Sequence, residues 1–347
     1  MTVVGGDRVS DDDLASWSSA QQEDAELVSP FFRPEFAQIV AAVRADVAVG
    51  VVRTETEPAF FPFQRRRFGG GVAVGGRLSD YHGVVGRPPP ELDARGLLRG
   101  CGLRSWRFDA AVASQEIFRP YHRRARSSPF LDLSRGFEAY VGERVAAGSD
   151  QVADVRKQAE RLAADAGALR FEAHVGERSA LELLIRWKSE QYVRTGAVDI
   201  FTFPWVRAVV DRVHATQGSD FAGLLSVLYA ADRPVAAHLG LRSSSAWHYW
   251  LPAYDLRFAK YSPGLILLLR MAEAAPALGL DRIDLGKGDA LYKSRLANGS
   301  AQLAAGSVDA TPAAAVAGFS SRLGSRLIRK TPLSRRVDVS STRRAFG

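Results

Sequence analysis

Pro263-Gly264 opens a helical stretch, Leu265 to Met271, that is too apolar to lie on a surface of this 347-residue chain. Proline has a fixed φ and no N–H, so it suits a helix's first turn, and the glycine lets a ligand approach the backbone. A buried helix of this kind points its first N–H groups and its positive dipole end outward. Arg257 and Lys260 lie just upstream, and Tyr261-Ser262 complete the loop. Together with Gly264 they read as a seat for phosphate. Gly279 then turns the chain into Arg282-Ile283-Asp284-Leu285, a short buried strand. The bend Gly286-Lys287-Gly288 follows, and after it Asp289 and the pair Tyr292-Lys293. Loop, anion-binding helix, buried strand and a polar cluster at the strand's end together read as an active site.

Asp284-Leu285-Gly286-x-Gly288-x-x-x-Tyr292-Lys293 after a buried strand, preceded by Tyr261-Ser262-Pro263-Gly264 at a helix start, resembles the GNAT acyltransferase superfamily. The branch it most resembles is the CelD-type acetyltransferases of bacterial polysaccharide synthesis, themselves similar to the Fem-type aminoacyl transferases of peptidoglycan. The resemblance is strongest over residues 148–309 and looser over 27–147. It implies an α/β (α+β) fold of two tandem GNAT-like domains, with mixed, mostly antiparallel sheets flanked by helices. It also implies a donor, acetyl-CoA or another acyl-CoA, inserted between two split central strands with its pyrophosphate on the helix start. Tyr292 falls where the superfamily often carries a tyrosine that protonates the leaving thiolate. Lys293 resembles a lysine that stabilises phosphate or the developing oxyanion in Fem-type enzymes. The usual pyrophosphate loop, Gln/Arg-x-x-Gly-x-Gly/Ala, is not matched; Arg257 to Gly264 supplies one base and one glycine at another spacing.

No apolar run approaches the ~18 residues that span a bilayer. Asp11-Asp12-Asp13 stand where a signal peptide needs positive charge, so a cytoplasmic protein is expected. One cysteine, Cys101, excludes an internal disulfide and a cysteine-rich zinc site. The net charge of +8 is uneven: residues 1–26 are acidic and residues 319–347 are rich in arginine. The organisation expected is a flexible acidic leader (1–26), a degenerate N-terminal GNAT-like domain (27–147), a C-terminal catalytic GNAT domain (148–318) and a basic tail (319–347). Leu323, Leu327 and Ile328 with the flanking arginines of that tail suit peripheral contact with an anionic membrane surface.

Further candidates appear along the chain. Gly69-Gly70-Gly71 and Gly75-Gly76 read as a bend at a sheet edge or as a phosphate loop. Asp80-Tyr81-His82 places three functional side chains together after a strand, a region that faces the acceptor cleft in the resembled family. Arg119 to Arg126 reads as a solvated basic loop. Ser179-Ala180-Leu181-Glu182 reads as a capping box that opens a helix. Trp187, Lys188 and Tyr192 on that helix could line an acceptor groove. The segments 221–230, 235–242 and 246–251 read as strands. With a turn symmetric about Ser244, Leu239, Leu241, Trp247, Tyr249 and Leu251 share the core face. His238, His248 and Trp250 then share the opposite face, His238 opposite Trp250. No Asp, Glu or Cys accompanies the histidines at ligand spacing, so no metal is expected.

These readings converge on an acyl-CoA-dependent N-acyltransferase acting on an amino sugar or other small amine, free or lipid-linked. His238, Asp255 and Asp289 are the base candidates, Tyr292 and Lys293 complete the catalytic set, and Asp284 either lines the site or caps the Gly286–Gly288 turn. DNA is not expected as a partner. The alternatives are a Fem-like transferase using aminoacyl-tRNA and a non-catalytic GNAT-fold subunit of an envelope-polysaccharide system.

Overall fold

A computed structural model describes residues 1–310. The strands are β1 (Thr2–Gly5), β2 (Val47–Val52), β3 (Ala59–Arg65), β4 (Gly70–Val72), β5 (Ser105–Val112), β6 (His122–Asp132), β7 (Leu169–Glu172), β8 (Ala222–Ala230), β9 (Arg233–Arg242), β10 (Ala246–Tyr254), β11 (Arg282–Asp284) and β12 (Gly299–Asp309). The α-helices are α1 (Asp11–Gln22), α2 (Pro34–Ala41), α3 (Ala94–Gly100), α4 (Phe137–Ala146), α5 (Gln151–Ala166), α6 (Arg178–Thr195), α7 (Pro204–Ala215), α8 (Pro263–Ala274) and α9 (Leu291–Leu296).

Among the described residues the strands form one sheet of 12, ordered β1-β2-β3-β4-β5-β12-β6-β11-β10-β9-β8-β7. Its pairs are antiparallel except β4 with β5 and β10 with β11, one parallel pair in each half of the chain. The last strand, β12, is inserted between β5 and β6 of the first half, and β6 in turn pairs with β11 of the second. One face is covered by α1, α2, α6 and α7 over a core that runs through both halves. On the other face α4, α5 and α8 pack on the second half and α3 on the first. The expected mixed, mostly antiparallel sheet flanked by helices is what the chain forms.

The acidic leader is not loose. β1 pairs with β2 from Thr2↔Val51 to Gly5↔Ala48, and Ser10 caps α1 through the Asp13 N–H. Trp17 is 1% exposed, stacks on Phe60 at 5.3 Å and donates to the Phe32 carbonyl at 2.7 Å. Composition misled because Asp11 and Asp12 lie exposed on α1 while Asp13 is buried against Arg53 and Trp17 anchors the helix. The basic run is likewise no loop: His122 onward is β6, an interior strand that leaves Arg123, Arg124 and Arg126 exposed. The helix at 178 starts at Arg178 behind Glu177 without a side-chain cap, and Glu182 pairs with Arg207 instead of closing a capping box. The tail's membrane-surface helix lies outside the described residues.

The hairpin register differs from the expected one. Ser243 N–H bonds the Ala246 carbonyl at 2.8 Å, leaving a two-residue turn at Ser244-Ser245, so Trp247 pairs with Arg242 and His248 with Leu241. This one-residue shift exchanges the faces of the following strand. A bulge between His248 and Leu251 then sets Pro252 opposite His238. Trp247 and Tyr249 therefore join the core under α5 and α8, while Leu239, Leu241 and Leu251 face α6 and α7. His248 and His238 end on opposite faces.

Candidate active site

β10 and β11 are parallel partners over three residues only, Ala246↔Arg282 to His248↔Asp284. Beyond His248, β10 continues to Tyr254 without that neighbour. On the far side β11 pairs with β6 at Phe130–Asp132, so the edge of β6 before Phe130 is also open on that side. The sheet therefore parts at its centre, and α8 begins beside the parting. The Tyr249 hydroxyl reaches the Gly264 carbonyl at 3.3 Å. A side chain at Gly264 would meet only the Tyr254 ring, at 3.6 Å, so the backbone here is open to approach. Burial raises the Tyr249 phenol, and the neighbouring Tyr292 raises it further; burial raises Tyr292 as well. Both hydroxyls therefore keep their protons at neutral pH, beside the head of α8.

The expected phosphate seat is weaker in cations than the sequence suggests. Arg257 is held by Asp255, Nη2 to Oδ2 at 2.5 Å, and its hydrogen bond depresses the Asp255 carboxyl. Asp255 is thus engaged by Arg257 in the structure. Lys260 lies 3.6 Å from Asp165, which also receives the Tyr261 hydroxyl. Ser262 takes a left-handed φ of 52° and accepts from the Leu265 and Ile266 N–H groups. What remains for an anion is the Gly264 backbone, the helix dipole and two partly compensated cations.

At the tip of β11 the structure assembles a network that joins residues from distant parts of the sequence. Asp284 accepts from the Ser128 hydroxyl at 2.6 Å, the Gly286 N–H at 2.8 Å and the Tyr81 hydroxyl. His248, fully buried, places Nδ1 3.5 Å from Asp284 and Nε2 3.0 Å from Asp80. Lys287 lies 3.4 Å from Asp80 and 3.0 Å from Asp109. Burial would raise the Asp80 carboxyl, but the hydrogen bond and charge of His248, with Lys287, hold it down at about 2. Burial and the Asp284 charge push the Tyr81 hydroxyl up. Gly286 is required here: its φ is +71° and a Cβ would stand 2.8 Å from Asp80 Oδ2. Asp284 does cap its turn, and it also binds the first half of the chain to the second. Ser128, Asp109 and Lys287 were missed; only their fold-level proximity reveals them.

The remaining expected residues divide clearly. His238 is fully buried, accepts from the Trp250 N–H at 3.1 Å and stacks on Tyr249 at 4.5 Å. Burial, with the charges of His248 and Lys188, drives its pKa well below the ordinary value. As a general base for an incoming acceptor it is misplaced. Trp250 faces the interface of the halves, its indole N–H on the Leu78 carbonyl at 2.9 Å. Trp187 and Lys188 are buried, not groove-lining; Lys188 donates to the Pro252 carbonyl at 2.9 Å, with its Nζ 5.4 Å from the Tyr192 ring centre. Lys293 Nζ bonds the Gly286 and Lys287 carbonyls, both at 3.0 Å, so it braces the bend from beneath. Asp289 alone of the base candidates is exposed. It shares with Lys287, Asp109 and Arg126 a groove of about 520 Å³ along the open edge of β6. Among the described residues no group of three or more His, Cys, Asp or Glu side chains could hold a metal, and no helix is long and apolar enough to cross a membrane.

Comparison with known proteins bears on the fold. Residues 149–294 match the Acetyltransf_6 family model, an acetyltransferase (GNAT) domain. The structure of FemX superposes with a TM-score of 0.60 at 9% identity, covering 92% of this chain and 99% of that one. The C-terminal domain of a putative lysylphosphatidylglycerol synthetase from Agrobacterium fabrum gives 0.52 at 14% identity, over 90% and 96% of the two chains. A conserved protein of unknown function from Bacteroides thetaiotaomicron gives 0.53 at 10% identity, over 84% and 97%. At such identities the likeness is one of fold. No curated protein matches the sequence. The chain therefore has a GNAT-like fold, and its residues 149–294 match a GNAT acetyltransferase-domain model.

Proposed function

We propose that the protein transfers an acyl group from a CoA thioester, acetyl-CoA or a longer acyl-CoA, to the amine of a small acceptor such as an amino sugar. The observation that carries this reading is the parting of β10 and β11 beside the head of α8. Open strand edges there offer backbone groups to an extended donor, and the Gly264 turn offers dipole and space to its phosphates. The acceptor amine enters from the groove, where the Asp289 carboxylate attracts it and takes its proton. Nitrogen then attacks the thioester carbonyl; the C–N bond forms and the C–S bond breaks. Tyr292 gives its proton to the departing thiolate. The Asp80–His248–Asp284 network touches neither reactant in this scheme; it fixes the Gly286–Gly288 bend that carries the groove wall.

Polysaccharide precursors, free or lipid-linked, are the acceptor class implied by the CelD-type resemblance. The engagement of Arg257 and Lys260 by carboxylates, together with the exposed arginines of β6, favours aminoacyl-tRNA as the alternative donor. Thermal shift and calorimetry with acetyl-CoA, longer acyl-CoAs and aminoacyl-tRNA separate the two. Saturable stabilisation by an acyl-CoA supports the first donor. Stabilisation by aminoacyl-tRNA alone supports the second, and no response to any donor points to a non-catalytic subunit.

A further inference from the structure

Among the described residues Phe68 is the one aromatic side chain left exposed, at 89%. It stands between β3 and β4 with a left-handed φ of 61°, a conformation that a bulky side chain adopts only at a cost. The turn is pinned on both sides. The Arg66 N–H donates to the Gly70 carbonyl at 2.8 Å, and the Arg104 N–H to the Gly69 carbonyl at 2.7 Å. A strained residue with an unburied ring brings the fold no packing, so the ring is displayed to something outside the chain. Its surroundings give the charge of that partner. Arg65, Arg67 and Arg104 are exposed and form no salt bridge among the described residues. The acids near them are engaged: Asp46 is held by Arg44, and Asp309 has partners of its own. The Arg104 side chain lies on the turn, its Cγ 3.0 Å from where a Cβ on Gly69 would stand. Arg65 reaches the same corner, its Nη1 3.7 Å from a Cβ placed on Gly102. Ala310, the last described residue, donates to the Arg104 carbonyl at 2.8 Å, so the arginine-rich sequence beyond it starts out from this corner. On β5 the exposed Arg107 follows, and Asp109 of the groove comes about 13 Å beyond Ser105, at ~3.3 Å per residue.

We infer that this corner docks on an anionic lipid surface, with the Phe68 ring at headgroup level and Arg65, Arg67 and Arg104 against the lipid phosphates. A single ring on a convex turn does not track a strand of bases, which calls for a basic channel with successive aromatics. It suits a flat, negatively charged surface. The groove bordered by Asp109 then lies close to the bilayer, where a lipid-linked acceptor is found. The docking surface stands on the corner itself and not on the acyl-transfer reading.

The test is co-sedimentation of the full chain with vesicles of phosphatidylcholine alone and of phosphatidylcholine with an equal part of phosphatidylglycerol, at about 0.1 M salt. Binding should require the anionic lipid. Phe68→Asn, a residue that tolerates the left-handed turn, should melt no lower than the parent and bind about tenfold more weakly, the scale of burying one apolar ring. Phe68→Trp keeps an interfacial aromatic and should bind like the parent. Arg67→Gln and Arg104→Gln should each lose about fivefold, the effect of one basic residue near anionic lipid. Absence of binding to either vesicle, or equal binding to both, would overturn the assignment. Undiminished binding by Phe68→Asn would overturn it too, placing the lipid contact elsewhere on the chain. So would a Phe68-dependent affinity for RNA with none for vesicles, which would give the corner to nucleic acid.

Discussion

His248 Nε2 lies 3.0 Å from Asp80 Oδ2, although the two residues are 168 positions apart. The contact ties a loop of the first half to the central strand of the second, and Asp284 lies 3.5 Å from the opposite ring nitrogen without a hydrogen bond to it. Loss of Asp80 leaves a buried imidazole without its carboxylate. The Asp80 carboxyl, at about 2, is below its ordinary value of ~3.9. A depressed folded pKa contributes stability that is complete above ~4 and is lost as pH falls toward about 2. Asp80→Asn should therefore cost about 2 kcal/mol at pH 7, a difference that shrinks between pH 4 and 2. Urea melts across that window measure it; a difference independent of pH would remove Asp80 from the network.

Tyr292→Phe removes one hydroxyl from a half-buried ring. Folding should be retained and turnover should fall by about 10²-fold, the lower end for a lost general acid. Because burial raises the Tyr292 phenol above its usual ~10, the parent enzyme should show no alkaline loss of kcat from this group below pH 10. Single-turnover rates compared with steady-state rates separate a defect in chemistry from one in product release. Unchanged turnover in Tyr292→Phe would assign the ring to packing with the α8 core.

Lys188 gives a linkage prediction at the alkaline end of the range. Burial lowers its ammonium pKa to about 8, against ~10.4 in the unfolded chain. Between those values the unfolded state binds more protons, so Lys188 makes stability rise with pH from about 8 to about 10. Lys188→Met should flatten that rise. Denaturant midpoints of the two proteins at pH 8, 9 and 10 make the comparison; parallel curves would contradict it.

Trp17 tests whether the leader belongs to the fold. It is buried against Phe60 and bonded to the Phe32 carbonyl. Trp17→Ala should cost about 3–5 kcal/mol. A loss below 1 kcal/mol, read from urea unfolding, would mean that residues 1–26 contribute little.

The contrast between Pro263 and Trp17 shows what was legible. Local chemistry marked α8 and β11: a proline that starts a helix, an apolar run, a glycine with φ of 70° at position 279, and a buried strand. Each is written in neighbouring residues. Trp17 carries its whole message in two contacts with residues 60 and 32, and the acids around it gave the stronger but misleading signal. The hairpin failed on one residue, because Ser243-Ser244-Ser245 does not reveal which serine centres the turn, and a bulge is silent in an alternating pattern. His238 and His248, expected on one face, consequently lie on opposite faces. Asp80, Tyr81, His248 and Asp284 were each candidates, but their convergence, and the part of Ser128 in it, depends on strand order that links positions far apart. Gly286 is the exception: its neighbours in the motif announced a bend, and the structure supplies the carboxylate that any side chain there would strike.

The central claim is that the parted β10–β11 edge and the Gly264 turn seat an acyl-CoA. Its most direct measurement is calorimetric titration of acetyl-CoA into the parent protein and Gly264→Asp. A Cβ at this position meets only the Tyr254 ring, at 3.6 Å, so the variant should fold, while its carboxylate repels phosphate at the helix start. We predict one-to-one binding by the parent and a loss of affinity of at least about tenfold in Gly264→Asp, the scale of one unfavourable charge at a helix terminus in a partly buried setting. Equal affinity in the two proteins, or no binding by the parent, would contradict the account.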